Sequence, residues 1–426
     1  MLRPRTAEDT ARLVREAAAR ASAGDTPHAP LHPVSTGRNW GLGSASPVHD
    51  GTALLDLSAL DRIREIDTDR GYAVVEPGVT QGALAERLAD SPRVLNLTGA
   101  SQHTSIIGNM LERGVGLRRG RAEDLAGLEL VLADGTTART GWWPDPAQGT
   151  VVQPHGRGPS LNHLFTQSSL AVVTAAVVRL LPRPETVRVL PMTFPESALD
   201  RAVDLLREWT AQELVPATTK IYDPLAARVY GVHDRYLAHL CLTGAPDLVE
   251  LRALLLHRRA TATGSPFSPA PGSAADRYVH RAYTGLPDPD DTLFLRKTGH
   301  CAHCLDAARG LLMFLPLVPF RGQAVRRAAE MVRSSLQGRT APPGITMNVL
   351  DADTVDHVVT FGFPPEDPAA VADAHRTLDR LHTAFAAEGL HPYRPDVDHP
   401  LAPHGPLHRR LAEALDPDGV FARGRF

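Results

Sequence analysis

The chain has 426 residues, 45 Lys+Arg against 48 Asp+Glu for a net charge of −3, and 43% hydrophobic residues. Its length favours two or three domains at roughly 100–200 residues each, and its near-neutral charge excludes the strongly basic face of a nucleic-acid binder. The three cysteines, Cys241, Cys301 and Cys304, argue against a disulfide framework and predict a reducing compartment.

The first residues carry no apolar signal-peptide core, and no long uncharged apolar run offers a membrane span. The expectation is a soluble, cytoplasmic protein. Only Lys220 and Lys297 are lysines, which reads as a codon bias towards arginine.

Thr6 followed by Asp9 marks a helix start, with Leu13, Val14, Ala17, Ala18 and Ala21 at helical spacing. Short strands are predicted at 34–35, 52–57, 63–67 and 72–76, then a helix over 80–89. Asp134-Gly135 between strand segments at 128–133 and 136–140 predicts a hairpin, and 170–181 is a long β-rich run. The Pro182-Arg183-Pro184 break places a domain boundary after residue 185. Beyond it, strands at 189–194, 236–243, 311–318, 345–350 and 356–363 alternate with helices at 196–211, 246–259, 323–337 and 367–388. This predicts an α+β layer of antiparallel sheet backed by helices. Loop, short helix and a final loop fill 390–426.

Three segments carry candidate chemistry. The stretch PVSTGRNWGLGS (33–44) has glycines that let backbone approach a ligand and present N–H groups to an anion. The stretch TSIIGNMLERGVG (104–116) opens a short helix at Gly108-Asn109, a setting suited to a pyrophosphate. The third, GPSLNHLFTQSSLAVVT (158–174), reads alone as loop, turn and strand. Neither common nucleotide fingerprint, G-x-G-x-x-G after a strand or G-x-x-x-x-G-K, is present.

In this order and separation, the three segments resemble the flavin domain of the vanillyl-alcohol oxidase / para-cresol methylhydroxylase flavoprotein family. VEPGVTQG (75–82) and the terminal LDPDGVFARGRF (415–426) add to the likeness, which is strongest over 1–185 and 390–426. The resemblance implies a PCMH-type FAD-binding domain of two subdomains over 1–185, an α+β substrate cap over 186–389, and a C-terminal return over 390–426. It implies FAD held by Ser35, Thr36, Gly37, Arg38, Asn39 and Gly41 of the first loop, by Pro77 and Gly78, and by Ser105, Gly108 and Asn109. Val172, Val173, Thr174 and Arg423 complete the expected cofactor contacts.

Tyr393-Arg394 matches the pair that binds a substrate phenolate in phenol-oxidising members. A fixed charge and a phenol O–H suit a developing oxyanion. Two departures matter. Leu42 stands where the family has a second tyrosine, and 98–104 offers no carboxylate, leaving His103 as the titratable group for acid–base work. The segment 310–319 lacks the His or Tyr that links flavin covalently, so non-covalent FAD is expected. The cluster His300, Cys301, His303, Cys304 lacks the distant second ligand pair of a zinc site, and no metal is expected.

The function expected is FAD-dependent oxidation of a C–H bond next to an O–H or N–H of a small organic molecule, such as a secondary metabolite. The hydride acceptor is flavin N5, and the final acceptor is O2 or another oxidant. A flavin-dependent lyase or isomerase and a non-catalytic flavin-binding protein are the alternatives. A homo-oligomer is compatible with the sequence, and neither nucleic acid nor membrane is expected as a partner.

Overall fold

The computed structural model describes residues 1–23, 29–38, 40–338, 342–400 and 405–426. The predicted first helix forms over Ala7–Ser22, with the Thr6 hydroxyl accepting from the Asp9 N–H at 3.0 Å. Such a cap contributes about 1 kcal/mol. The helix buries Ala11, Val14 and Ala17 against the parallel strand pair Leu31–Val34 and Ala53–Asp56, together with Val420 and Phe421 from the far end of the chain. The Leu31 N–H donates to Val420 O and the Ala422 N–H to Leu31 O, at 2.8 and 2.9 Å. The C-terminus thus closes onto the first strand.

A five-stranded antiparallel sheet follows in the order Ile63–Asp67, Tyr72–Val75, Val172–Arg179, Leu125–Val131, Thr137–Gly141. The Asp134-Gly135 hairpin forms as predicted: Gly135 takes φ +77° and the Leu132 N–H donates to Thr136 O at 2.9 Å. The central strand Val172–Arg179 is buried on both faces over its first seven residues, which is why it reads as an unbroken apolar run.

The second sheet has eight strands. Its central order is Thr186–Phe194, Tyr236–Gly244, Lys220–Tyr222, Ile345–Val349, Thr354–Phe363, Gly310–Phe314, all antiparallel. One face packs Ile221, Ala238, Met347 and Val355 under the helices Leu199–Ala211, Pro246–Thr261, Gly322–Ser335 and Pro368–Ala387. The other face turns Tyr222, Leu237 and Cys241 onto a core shared with Leu97, Ile106 and Leu117 of the first half. This α+β architecture matches the expected class.

The central strand Lys220–Tyr222, three residues long, is absent from the predicted elements. So are the helices Asp276–Tyr283 and Thr292–Thr298. The segment 288–305 lies across the first half. Asp291 accepts from the Gln102 N–H at 2.9 Å and from the Ser101 hydroxyl, and Trp40 packs against Phe294, Ala302 and Leu305.

Cys301 and Cys304 are joined as a disulfide and Cys241 is a buried free thiol. One turn brings two sulfurs three residues apart together, a local link and not a long-range framework. No helix among the described residues is long and apolar enough to cross a membrane.

Candidate active site

A cleft runs between the first loop, the helix Ile106–Leu111 and the C-terminal residues. Ser35, Thr36, Gly37, Arg38, Pro77, Ser105, Gly108, Asn109 and Val173, all among the residues singled out from the sequence, line it. The non-protein space there, open solvent included, is about 1190 Å³. Gly37 takes φ +67°, a conformation that lets the loop turn its backbone inward at no steric cost. Ser105 holds the two walls together: its hydroxyl donates to Pro77 O at 2.7 Å and accepts from the Gly108 N–H at 3.0 Å. Gly108 itself has an ordinary helical backbone, not a positive φ. Its missing side chain matters because a Cβ there would collide with the Ser35 hydroxyl across the cleft.

The remaining predicted cofactor residues lie elsewhere. Val172 and Thr174 are fully buried and point away from the cleft, because alternate residues of a strand face opposite sides and Val173 takes the inner one. The Thr174 hydroxyl bonds to Glu129 instead. Gly78 packs its backbone on Ser58 and Leu60. Gly41 takes φ +80° where Met313 of the second sheet donates to its carbonyl at 2.8 Å. Arg423 bonds to Asp416. Asn39 lies outside the described residues. The cleft uses Arg425, whose guanidinium grips Glu112 through two bonds of 2.9 and 3.1 Å. The signal was present: Arg425 is the arginine of the terminal GRF. The sequence reasoning also missed His32, Gln167 and Phe426.

These residues fit a dinucleotide cofactor. The Asn109 side-chain oxygen is buried on the cleft wall with no donor among the described residues. Buried carbonyl oxygens normally have a partner, and a sugar or ribityl hydroxyl would supply one.

At one end of the cleft stands Arg394, 9% exposed and 3.8 Å from Glu112. Its neighbour Tyr393 is fixed through its backbone: its N–H donates to Leu315 O at 3.1 Å, and its carbonyl accepts from Gln167 at 2.7 Å. The Tyr393 hydroxyl hydrogen-bonds to both Asp356 and Arg394. Burial, then the adjacent Asp356 charge, holds the Tyr393 phenol protonated far above its usual range. Burial also pushes the Asp356 carboxyl up to about 6, despite bonds of 2.9 and 2.8 Å from the Asn348 N–H and side-chain amide. Asp356 is the carboxylate that the sequence reasoning did not find. It sits in an apolar strand pattern 37 residues before Tyr393.

His103 stands apart from that string. Its ring packs 4.2 Å from His303, whose Nδ1 lies 2.8 Å from an Arg38 guanidinium nitrogen, in a neighbouring pocket that shares Ser35, Thr36, Gly37 and Arg38 with the cleft. Burial, then the nearby His303, lowers its pKa.

A family model described as an FAD binding domain matches residues 1–141. A protein of Chondromyces crocatus named 1'-carboxy-chondrochloren decarboxylase is 28% identical over 93% of this chain and 86% of its own length. The 4-cresol dehydrogenase [hydroxylating] flavoprotein subunit of Pseudomonas putida is 25% identical over 93% of this chain and 82% of its own. Among solved structures, p-cresol methylhydroxylase with substrate bound superposes with a TM-score of 0.85 at 24% identity, covering 99% of this chain and 87% of that one. The 4-ethylphenol oxidase of Gulosibacter chungangensis, in complex with isoeugenol, gives 0.82 at 22% identity, covering 99% and 88%. The chain is therefore an FAD-dependent oxidoreductase. Residues 1–141 match the FAD binding domain model, and the fold is that of the PCMH-type flavoproteins, the p-cresol enzyme among them.

Proposed function

We propose that the chain oxidises a small organic molecule at a C–H bond adjacent to, or conjugated with, an O–H or N–H, the reacting oxygen being held by Tyr393 and Arg394. The observation that carries this reading is the buried string Asp356–Tyr393–Arg394 ending at the cleft. Ser35, Thr36, Gly37, Arg38, Ser105, Gly108, Asn109, Val173 and Arg425 would hold FAD, and residues 1–185, 186–389 and 390–426 divide as binding domain, cap and return. Bound FAD supplies the two-electron acceptor.

The protein's part is electrostatic. Arg394 presents a fixed positive charge to the substrate oxygen, and the Tyr393 hydroxyl, whose one proton is directed to Asp356, would turn to that oxygen or pass a proton from it. Both favour the oxyanion that forms as the O–H proton departs, in a site where low dielectric strengthens each contact. Asp356, poised near 6, is the group best placed to exchange that proton through Tyr393. His103, the base expected from sequence, sits at the rim beside His303.

The relative named as a decarboxylase favours a second reading, in which a C–C bond to a carboxylate breaks and CO2 leaves with the electron pair passed to the acceptor. Anaerobic mixing of the FAD-loaded protein with 4-ethylphenol tests the first reading. Lasting bleaching of the flavin absorbance is expected. An unchanged spectrum with this and other hydroxyaryl compounds would overturn it.

A further inference from the structure

The second sheet carries a line of polar side chains across its inner face. His239 pairs directly with Lys220, Lys220 with Asn348, and Asn348 with Asp356, each on the next strand. Directly paired residues share a face, so the four form one row ending at the Asp356–Tyr393–Arg394 string. The opposite face at the same level carries Ala238, Ile221, Met347 and His357.

Lys220 is the unusual member. It is half-buried, as Tyr393 is. Its ammonium rests on the turn at Gly99, where an added Cβ would lie 2.5 Å away. It has no hydrogen-bond acceptor among the described residues. Burial, then the proximity of Lys297, lowers its pKa to about 8, and Asp356 opposes this. Lys297 also reaches this cluster, its Nζ 5.7 Å from the Tyr230 ring centroid. Burial and the two ammonium groups hold His239 neutral, with its pKa lowered to about 3.

Two lysines among 45 cationic residues therefore meet at one place, in a chain that uses arginine everywhere else. An ammonium is compact and makes a point contact, where a planar guanidinium needs room for its fork. Asp356, the row's one carboxyl, stands two strands away, so the Lys220 ammonium has no carboxylate in direct contact among the described residues.

The geometry points to Lys220 as the receptor for a carboxylate on the substrate, making this a site for hydroxyaryl or related acids whose oxygen is held at Tyr393–Arg394 while the carboxylate reaches the sheet row. Lys220 lies two strands from Asp356, roughly 10 Å at ~4.8 Å per strand, so the row measures the separation of the two groups. This inference rests on the substrate reading proposed above.

The test is titration of the FAD-loaded protein with 4-hydroxyphenylacetate and with its methyl ester, followed by flavin absorbance and by calorimetry, in the wild type and in Lys220→Met. A charge-assisted bond predicts about tenfold or more tighter binding of the acid in the wild type. Lys220→Met should abolish that preference, leaving ester binding and flavin content intact. Its thermal midpoint should be equal or higher, because a buried charge is replaced by an apolar side chain of similar length. Lys220→Arg should recover charge without recovering the full preference. Equal binding of acid and ester in the wild type, or a preference that survives Lys220→Met, overturns the carboxylate site and leaves the oxidation reading standing. If neither compound binds a protein that holds FAD, both fall together.

Discussion

Arg394 and Gly108 illustrate how single residues set this site, one by charge and one by the absence of a side chain. Removing a donor that acts on developing charge typically costs ~10²–10³ in rate. Arg394→Ala should therefore slow flavin reduction by about that factor in single-turnover mixing while FAD stays bound. Arg394→Lys should recover only part of it, because the side chain that reaches both Tyr393 and Glu112 is a planar fork. Reduction at the wild-type rate in Arg394→Ala would remove Arg394 from the chemistry. Gly108→Val acts differently. A branched side chain there meets Ser35 and Ser105, spreading the walls that line the cleft. The variant should fold and purify without flavin, measured as the ratio of flavin to protein absorbance. A normal ratio would show that Gly108 serves only helix packing.

At the scale of elements, the position of Tyr393-Arg394 depends on how the return segment is fastened to the long helix Pro368–Ala387. Asp396 is the fastening. It accepts from His382 on that helix and from His399, each at 2.9 Å, and from the N–H groups of Asp398 and His399. The two imidazoles stack with centroids 3.7 Å apart and planes within 9°. Their ring nitrogens thus lie in parallel planes, an arrangement suited to clasping one carboxylate. Burial raises the Asp396 pKa, but the two histidine bonds outweigh it and hold the carboxyl well below its usual range. Burial lowers that of His399, yet its bonds to Asp396 and Asp379 raise it overall above 6.5.

The signs follow from linkage. The Asp396 contribution is full above the unfolded value of 3.8 and is lost as pH falls through its depressed folded value. The His399 contribution is full below 6.5 and is lost as pH rises through its raised folded value. The fastening should be strongest between about pH 4 and 6.5. Asp396→Asn should lower the thermal midpoint most in that window and least above pH 8. A loss independent of pH would show that the charges at Asp396 do not matter.

Elements also divide what the sequence revealed from what it hid. The long, periodic pieces were legible: the capped helix Ala7–Ser22, the Asp134-Gly135 hairpin and the amphipathic helices over the second sheet all follow from local pattern. Lys220–Tyr222 was not, because three residues are too few for a period of two to register. That strand is central, held by neighbours distant in sequence, and it carries Lys220 into the site. Asp356 was hidden for a related reason. It reads as a charged interruption in the run 354–363, and only the cross-strand pairing with Asn348 gives it a role.

Across the whole molecule, the cleft proposed for flavin was legible in outline because its glycine- and serine-rich turns carry a local signature. Its finer membership was not. Val173 faces the cleft while Val172 and Thr174 do not, a distinction set by strand pleat. Arg425 enters where Arg423 was expected, a shift of two residues in a loop. The cap chemistry was least legible, since His239, Lys220, Asn348 and Asp356 are scattered over more than 130 positions and meet only through sheet register.

The central claim is that these three turns form a cleft that holds FAD without a covalent link. The visible absorption spectrum of the purified protein, taken before and after acid precipitation, tests it most directly. The account predicts a yellow protein with oxidised-flavin bands and a flavin that passes into the acid supernatant, since the strand Gly310–Phe314 and its continuation Leu317–Pro319 carry neither histidine nor tyrosine. A flavin that stays with the precipitate would contradict the non-covalent link, and His303 at the rim would become the attachment to test. A colourless protein that takes up no FAD on reconstitution would contradict the account as a whole.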